Sequence, residues 1–168
     1  MPNWTSNTIR IAGEETELRA FLDAVKSEGQ FFDFNRLIPM PALLKNTSKG
    51  HRTLGGRVVT SWYVQPESGK TRAFTASEEA ALRDIGYLNW YDWSVANWGT
   101  KWNACHVAVR SEGISRGIAE ITFDTAWSAP EPVFREMFAM FPRLAFTCVW
   151  RDEDDLCHRI LRSEDVEA

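Results

Sequence analysis

Residues 104–124 read ACHVAVRSEGISRGIAEITFD, and how this stretch alternates decides the fold. Cys105, Val107 and Val109 fall on one side of a strand and His106, Ala108 and Arg110 on the other, the period-2 pattern of a sheet with one buried face. Ala119, Ile121 and Phe123 repeat the pattern over residues 118–124. Only Ser111 to Gly117, a turn with Gly113 inside it, separates the two runs, so they form an antiparallel hairpin.

Downstream, Ser128 and Glu131 have the spacing of a capping box, with Pro130 in the first turn, where its missing N–H does no harm. Val133, Phe134, Met137, Phe138 and Phe141 give the helix that follows a strong apolar face, and Pro142 ends it. Leu144, Phe146, Cys148 and Trp150 then alternate as a last strand. Upstream lies WYDWSVANWGTKWN (residues 90–103), which holds four of the eight tryptophans. Rings of that size need a shaped interior pocket or a partner that supplies the missing wall. Before it, Thr75 and Glu78 make a capping box for a helix through Ala80, Ala81, Leu82 and Ile85, with Gly86 as its stop.

At the amino-terminal end, Thr8 to Ile11 reads as a strand. Leu18, Phe21, Leu22 and Val25 mark one face of a helix over residues 15–26, closed near Gly29. Phe31 to Leu37 is a short apolar run expected to return as a strand, and Pro39 and Pro41 stop any ladder. Residues 42–70 hold one apolar run, Val58 to Val64, among glycines, and are read as part of an insertion over residues 42–90.

With the insertion set aside, the order is strand, helix, strand, strand, helix, strand. This is an α+β, ferredoxin-like βαββαβ sandwich with two helices on one face of an antiparallel sheet. Right-handed crossovers put the first and third core strands in its centre. Ile9, Ile11, Val107, Val109, Ile121, Phe123, Phe146 and Cys148 are expected to face the helices. Thr8, Arg10, His106, Arg110, Glu120, Thr122 and Thr147 are expected on the open face.

Four motifs in order carry a resemblance: residues 2–7 (PNWTSN), Phe32-Asp33-Phe34 followed by residues 38–41 (IPMP), residues 97–103 (NWGTKWN) and residues 123–130 (FDTAWSAP). Together they resemble the YubB-like, ferredoxin-like family of plasmid, phage and bacterial proteins, over about residues 1–150. The resemblance implies the same fold and a mobile-element origin. It supplies no catalytic residue and no cofactor.

The chain has 168 residues, 44% hydrophobic and 25% charged, which suits a single domain over 1–168 with a real core. No run of 18 apolar residues and no basic-then-apolar start occurs, so the expectation is a cytosolic protein without membrane contact. Cys105, Cys148 and Cys157 have no motif spacing and read as reduced thiols. The formal net charge of -4 hides an asymmetry. Between Phe34 and Pro66 there are five basic residues, among them Lys45, Lys49, Arg52 and Arg57, and no acid, while residues 152–168 read as an acidic tail.

Antiparallel pairing brings Trp102, before one hairpin strand, and Trp127, after the other, to the same end of the sheet. Trp4, placed before the first strand, reaches that end too. With Trp98, Asn3, Asn97, Lys101 and Asn103 they make an aromatic patch edged by polar groups, the composition of a binding site. The competing reading is that the tryptophans seal the junction between insertion and sheet. Arg10, His106 and Arg110 bring charge to the open face, but its central strands show no aromatic for stacking bases. Cys105 and His106 point to opposite faces and cannot share one metal ion, so no metal site is expected. The histidines His51, His106 and His158 lie in no catalytic motif. The expected function is a non-catalytic binding or regulatory module acting through protein contacts. The alternatives are nucleic-acid binding through residues 36–57, or a small-molecule site or enzyme on Trp98, Lys101, Trp102, Asn103 and Trp127.

Overall fold

The computed structural model describes residues 3–66, 69–155 and 157–166, with the Arg52 side chain outside that description. The strands are β1 (Trp4–Ala12), β2 (Thr47–Leu54), β3 (Arg57–Val64), β4 (Cys105–Arg110), β5 (Ile118–Ala126), β6 (Ala145–Asp152) and β7 (Arg159–Arg162). The helices are α1 (Glu15–Ala24), α2 (Ala76–Ile85), α3 (Trp90–Asn97) and α4 (Glu131–Met140). The chain forms two compact units, Met1–Pro39 with Asn97–Ala168, and Met40–Ala96.

The first unit holds an antiparallel sheet in the order β4-β5-β1-β6-β7. Its first four strands have the ferredoxin-like order, with β1 and β5 central. Ile9, Ile11, Ile121, Phe123, Phe146 and Cys148 are buried as their alternation requires, while Val107 and Val109 on edge strand β4 are half-buried. Both helices cover that face. Phe21 of α1 meets Phe146 edge-on at 5.4 Å, and Phe138 of α4 stacks on the same ring at 5.5 Å. At roughly 1.5–3 kcal/mol per large side chain buried, this layer is a main source of the unit's stability.

Three local expectations are corrected. First, β1 starts at Trp4, not Thr8. Thr5 and Asn7 face the core although they are polar, which hid the alternation; Thr5 donates to Asp152 Oδ1 at 2.6 Å and Asn7 to Thr125 Oγ1 at 2.9 Å. Second, residues 31–37 form a tight turn, because the Asp33 side chain accepts the Asn35 N–H and the chain closes from Leu37 N–H to the Phe34 carbonyl. Third, Ser128 does not cap α4. Its hydroxyl donates instead to the Gly99 carbonyl at 2.6 Å, and Pro130 stands at the cap position.

In the second unit, β2 and β3 form a two-stranded ribbon closed by Gly55 and Gly56, both with left-handed backbone (φ 56° and 76°), the two-residue turn that matches strand twist. The Thr75–Glu78 capping box of α2 is present on both sides, and Gly86 closes the helix. Arg72 is the main reason the Glu78 carboxyl is held down to about 2. Asn89 starts α3 by accepting the Asp92 N–H at 3.0 Å.

Candidate functional site

The open-face end of β1, β5 and β4 in the first unit gathers half-buried and exposed aromatics. Trp4 occupies an outward position on β1, opposite Ala126 of β5. The small Ala126 leaves room for rings to approach one another, and it is fully buried although it too points outward. The Trp4 ring centre lies 6.2 Å from that of Trp102 and 5.3 Å from that of His106. Lys101 Nζ sits 4.5 Å from the Trp102 ring centre, a cation–π contact. Trp127 follows β5 directly; its N–H donates to the Asn3 carbonyl at 2.9 Å, and the residue is 54% exposed.

Backbone strain concentrates at the same place. Among the described residues, His106 (φ 52°) and Trp127 (φ 77°) are the non-glycine residues with left-handed backbone. His106 owes its conformation to a bulge between Cys105 and Ala108 that re-aims its ring, which meets Asp124 Oδ2 at 2.9 Å. Three carboxylates frame the tryptophans. Asp124 also accepts from Ser6 Oγ at 3.1 Å, Glu153 from the Trp4 N–H at 3.1 Å and Asp154 from Asn3 Nδ2 at 3.2 Å. The acidic run after β6 therefore folds back onto the aromatic rim.

Of the residues singled out from the sequence, Trp4, Trp102 and Lys101 come together here by ring contacts, and Trp127 adjoins them through its backbone bond to Asn3. Trp98 does not: it is 4% exposed, donates its indole N–H to the Ile38 carbonyl at 2.9 Å and packs edge-on against Phe34 at 5.8 Å. Asn103 is held inside a turn network. Its Oδ1 accepts from Phe34 N–H and Ala104 N–H, both at 2.9 Å, and its Nδ2 donates to Asp33 Oδ1 at 2.6 Å. Burial alone would raise the Asp33 pKa, but hydrogen bonds from Ser27, Asn103 and Asn35 outweigh it and lower the value. Asn97 is half-buried at the end of α3. The carboxylate frame was missed, because nothing in the acidic run announces that it turns back to β1.

In the second unit, Lys45 is exposed, Lys49 pairs with Asp92 at 2.5 Å, and Arg57 is exposed at the start of β3. Arg52 lies on β2, its side chain outside the described part.

At Cys105 and Cys148 the thiolate form is disfavoured. Burial, and secondly Asp124, push the Cys105 thiol up, and burial alone pushes Cys148 up. Among the described residues no group of three or more His, Cys, Asp and Glu side chains is placed to hold a metal ion. No helix among them is long and apolar enough to cross a membrane. The rim brings together large rings, the Lys101 ammonium and a frame of carboxylates.

Residues 97–160, which run from the end of α3 into β7, match a family model described as a ferredoxin-like domain in Api92-like protein. No curated protein and no solved structure matches the chain. The fold is thus the ferredoxin-like α+β sandwich, and the second half of its core is similar to a domain of Api92-like proteins.

Proposed function

We propose that the chain is a non-catalytic binding module whose contact surface is the aromatic rim and whose partner is a protein segment with apolar and basic side chains. The observation that carries this reading is Trp127. A bulky residue on left-handed backbone costs about 1 kcal/mol, and with Trp127 54% exposed the free protein buries only part of the residue in return. A partner that buries the ring supplies the missing return, as at interface hot spots. The carboxylates around Trp4 favour a basic protein segment over nucleic acid, whose phosphates they repel. The YubB-like motifs support a partner drawn from a plasmid or phage, or from its bacterial host.

The test is capture from bacterial lysates with the full chain and with Trp127→Gly, which relieves the left-handed strain while removing the ring. Loss of about 2 kcal/mol, roughly 30-fold in affinity, is expected for the captured protein. Glu153→Gln should weaken capture further and reduce its salt dependence. A partner that binds both variants as it binds the parent chain argues against this surface. The small-molecule reading keeps Lys101, Trp102 and Trp127, but Trp98 and Asn103 are committed to packing.

A second reading concerns the other unit. Its basic residues lie on or beside a two-stranded ribbon, a shape that the major groove of duplex DNA admits. Charge-neutralising Lys45, Lys49, Arg52 and Arg57 to Gln should then abolish a salt-dependent gel shift, and an unchanged shift removes the idea.

A further inference from the structure

The other end of the same open face has the opposite chemistry. Arg110, Glu120, Arg10, Thr147 and Arg162 stand opposite one another in a single row across β4, β5, β1, β6 and β7. Glu120 lies between two guanidinium groups, with Arg10 Nε at 3.3 Å and Arg110 Nη1 at 3.2 Å, and so fixes both side chains. Arg10 and Arg110 remain 67% and 73% exposed. Each spends one donor on Glu120, and a guanidinium has five.

Beyond that row the face turns small and apolar: Ala12 is flanked in register by Ile118 and Ala145. These residues floor an open cavity of about 480 Å3, whose wall is the turn bearing Glu112 and Arg116. Arg116 makes no ion pair among the described residues. Three guanidinium groups against the carboxylates of Glu112 and Glu120 leave one positive charge in the lining.

We propose that this cavity is a second binding site, for a small organic monoanion that carries its oxyanion on a flat apolar body. The oxyanion meets the forks of Arg10 and Arg110, which match carboxylate and phosphate geometry. The flat body lies on the methyl groups of Ala12 and Ala145 against Ile118. A single net positive charge in the lining is what one carboxylate or one phosphodiester neutralises. This site is independent of the aromatic rim: Trp4 and Arg10 are six residues apart on β1, about 20 Å at ~3.3 Å per residue.

The test is titration of the isotopically labelled full chain, followed through the amide signals of Ala12, Ile118 and Ala145. Four probes separate the contributions: naphthoate (flat carboxylate), cyclic AMP (flat phosphodiester), acetate (charge alone) and naphthalenemethanol (flat and neutral). At least one flat anion should shift these signals and bind at least about tenfold more tightly than acetate or naphthalenemethanol. Which flat anion binds better identifies the carrier. The double variant Arg10→Gln with Arg110→Gln should lose this preference of about tenfold, and Arg116→Gln part of it, with the Trp98 indole N–H signal of the labelled chain unchanged as evidence of an intact core. Naphthalenemethanol binding as tightly as naphthoate, no shift with either flat anion, or full affinity in all the variants would overturn the proposal. Partner capture by the rim is read separately, so either site can fail alone.

Discussion

Asn103 shows how a residue that reads as a ligand-binding group can be structural. Its amide closes the turn after α1 by accepting two backbone N–H groups and donating to Asp33. Asn103→Ala leaves those partners without it and should cost about 2–3 kcal/mol near neutral pH in denaturant melts. The pH dependence has a definite sign. The Asp33 pKa is lower in the folded chain than its ordinary 3.8, so its contribution is complete above that value and is lost as pH falls through the lowered one. The deficit of the variant should therefore narrow under acid, and an equal deficit at both ends of the pH range would remove Asp33 from the network. The tryptophans make the same point. Trp98 and Trp127 are equal as letters, and what separates a sealed ring from a displayed one is whether the Ile38 carbonyl reaches its N–H and which way the backbone turns. Neither is written in residue type or spacing.

At the scale of elements, alternation was legible wherever apolar residues carried it, as in β4, β5 and β6. It failed at the start of β1, where Thr5 and Asn7 face inward although they are polar, Asn7 donating its Nδ2 to the Thr5 carbonyl at 2.8 Å while its Oδ1 has no partner among the described residues. The β2–β3 ribbon escaped for a different reason: β2 is almost wholly polar, and the Gly55–Gly56 pair that closes the hairpin is among the glycines read as part of an insertion. The bulge at His106 left no trace in the alternation of β4, yet it sets the ring against Trp4. Loop geometry between elements is testable at Gly99, which has left-handed backbone (φ 78°) and leaves no room for a side chain, since a Cβ there would stand 2.7 Å from Pro132 Cδ. The carbonyl of this residue also holds Ser128, which explains why Ser128 was unavailable to cap α4. Gly99→Ala should cost about 2 kcal/mol or more, read as a lower melting temperature, because strain and overpacking act together. A melting temperature equal to that of the parent would show that the loop can yield.

At the scale of the whole chain, charge is unevenly spread over the open sheet face of the first unit. Tryptophans with Asp124, Glu153 and Asp154 stand at one end, where Arg151 and Lys101 also lie, and three guanidinium groups with Glu112 and Glu120 at the other, a pattern that the net charge of -4 conceals. Which charges share an end depends on strand order, and a sequence pattern fixes that order only after the topology is known. The division into two units leads to a sharper expectation. Residues 40–96 leave and re-enter the first unit at Pro39 and Asn97, and the neighbours of those points are joined directly by the Trp98 indole N–H on the Ile38 carbonyl at 2.9 Å. The buried layer of the sheet, α1 and α4 lies entirely within the first unit. Replacing residues 40–96 by about four Gly/Ser residues, whose reach is on the order of 11 Å, should therefore leave that unit folded. Its circular dichroism should keep the sheet signal, the Trp98 indole N–H should stay protected from exchange with solvent, and the anion titration at Ala12, Ile118 and Ala145 should be unchanged. An unfolded product would mean that the first unit needs residues 40–96 to hold its core. A folded product that still captures the partner would place recognition wholly on the aromatic rim, and one that captures nothing would return the second unit, with its basic ribbon, to the centre of the function.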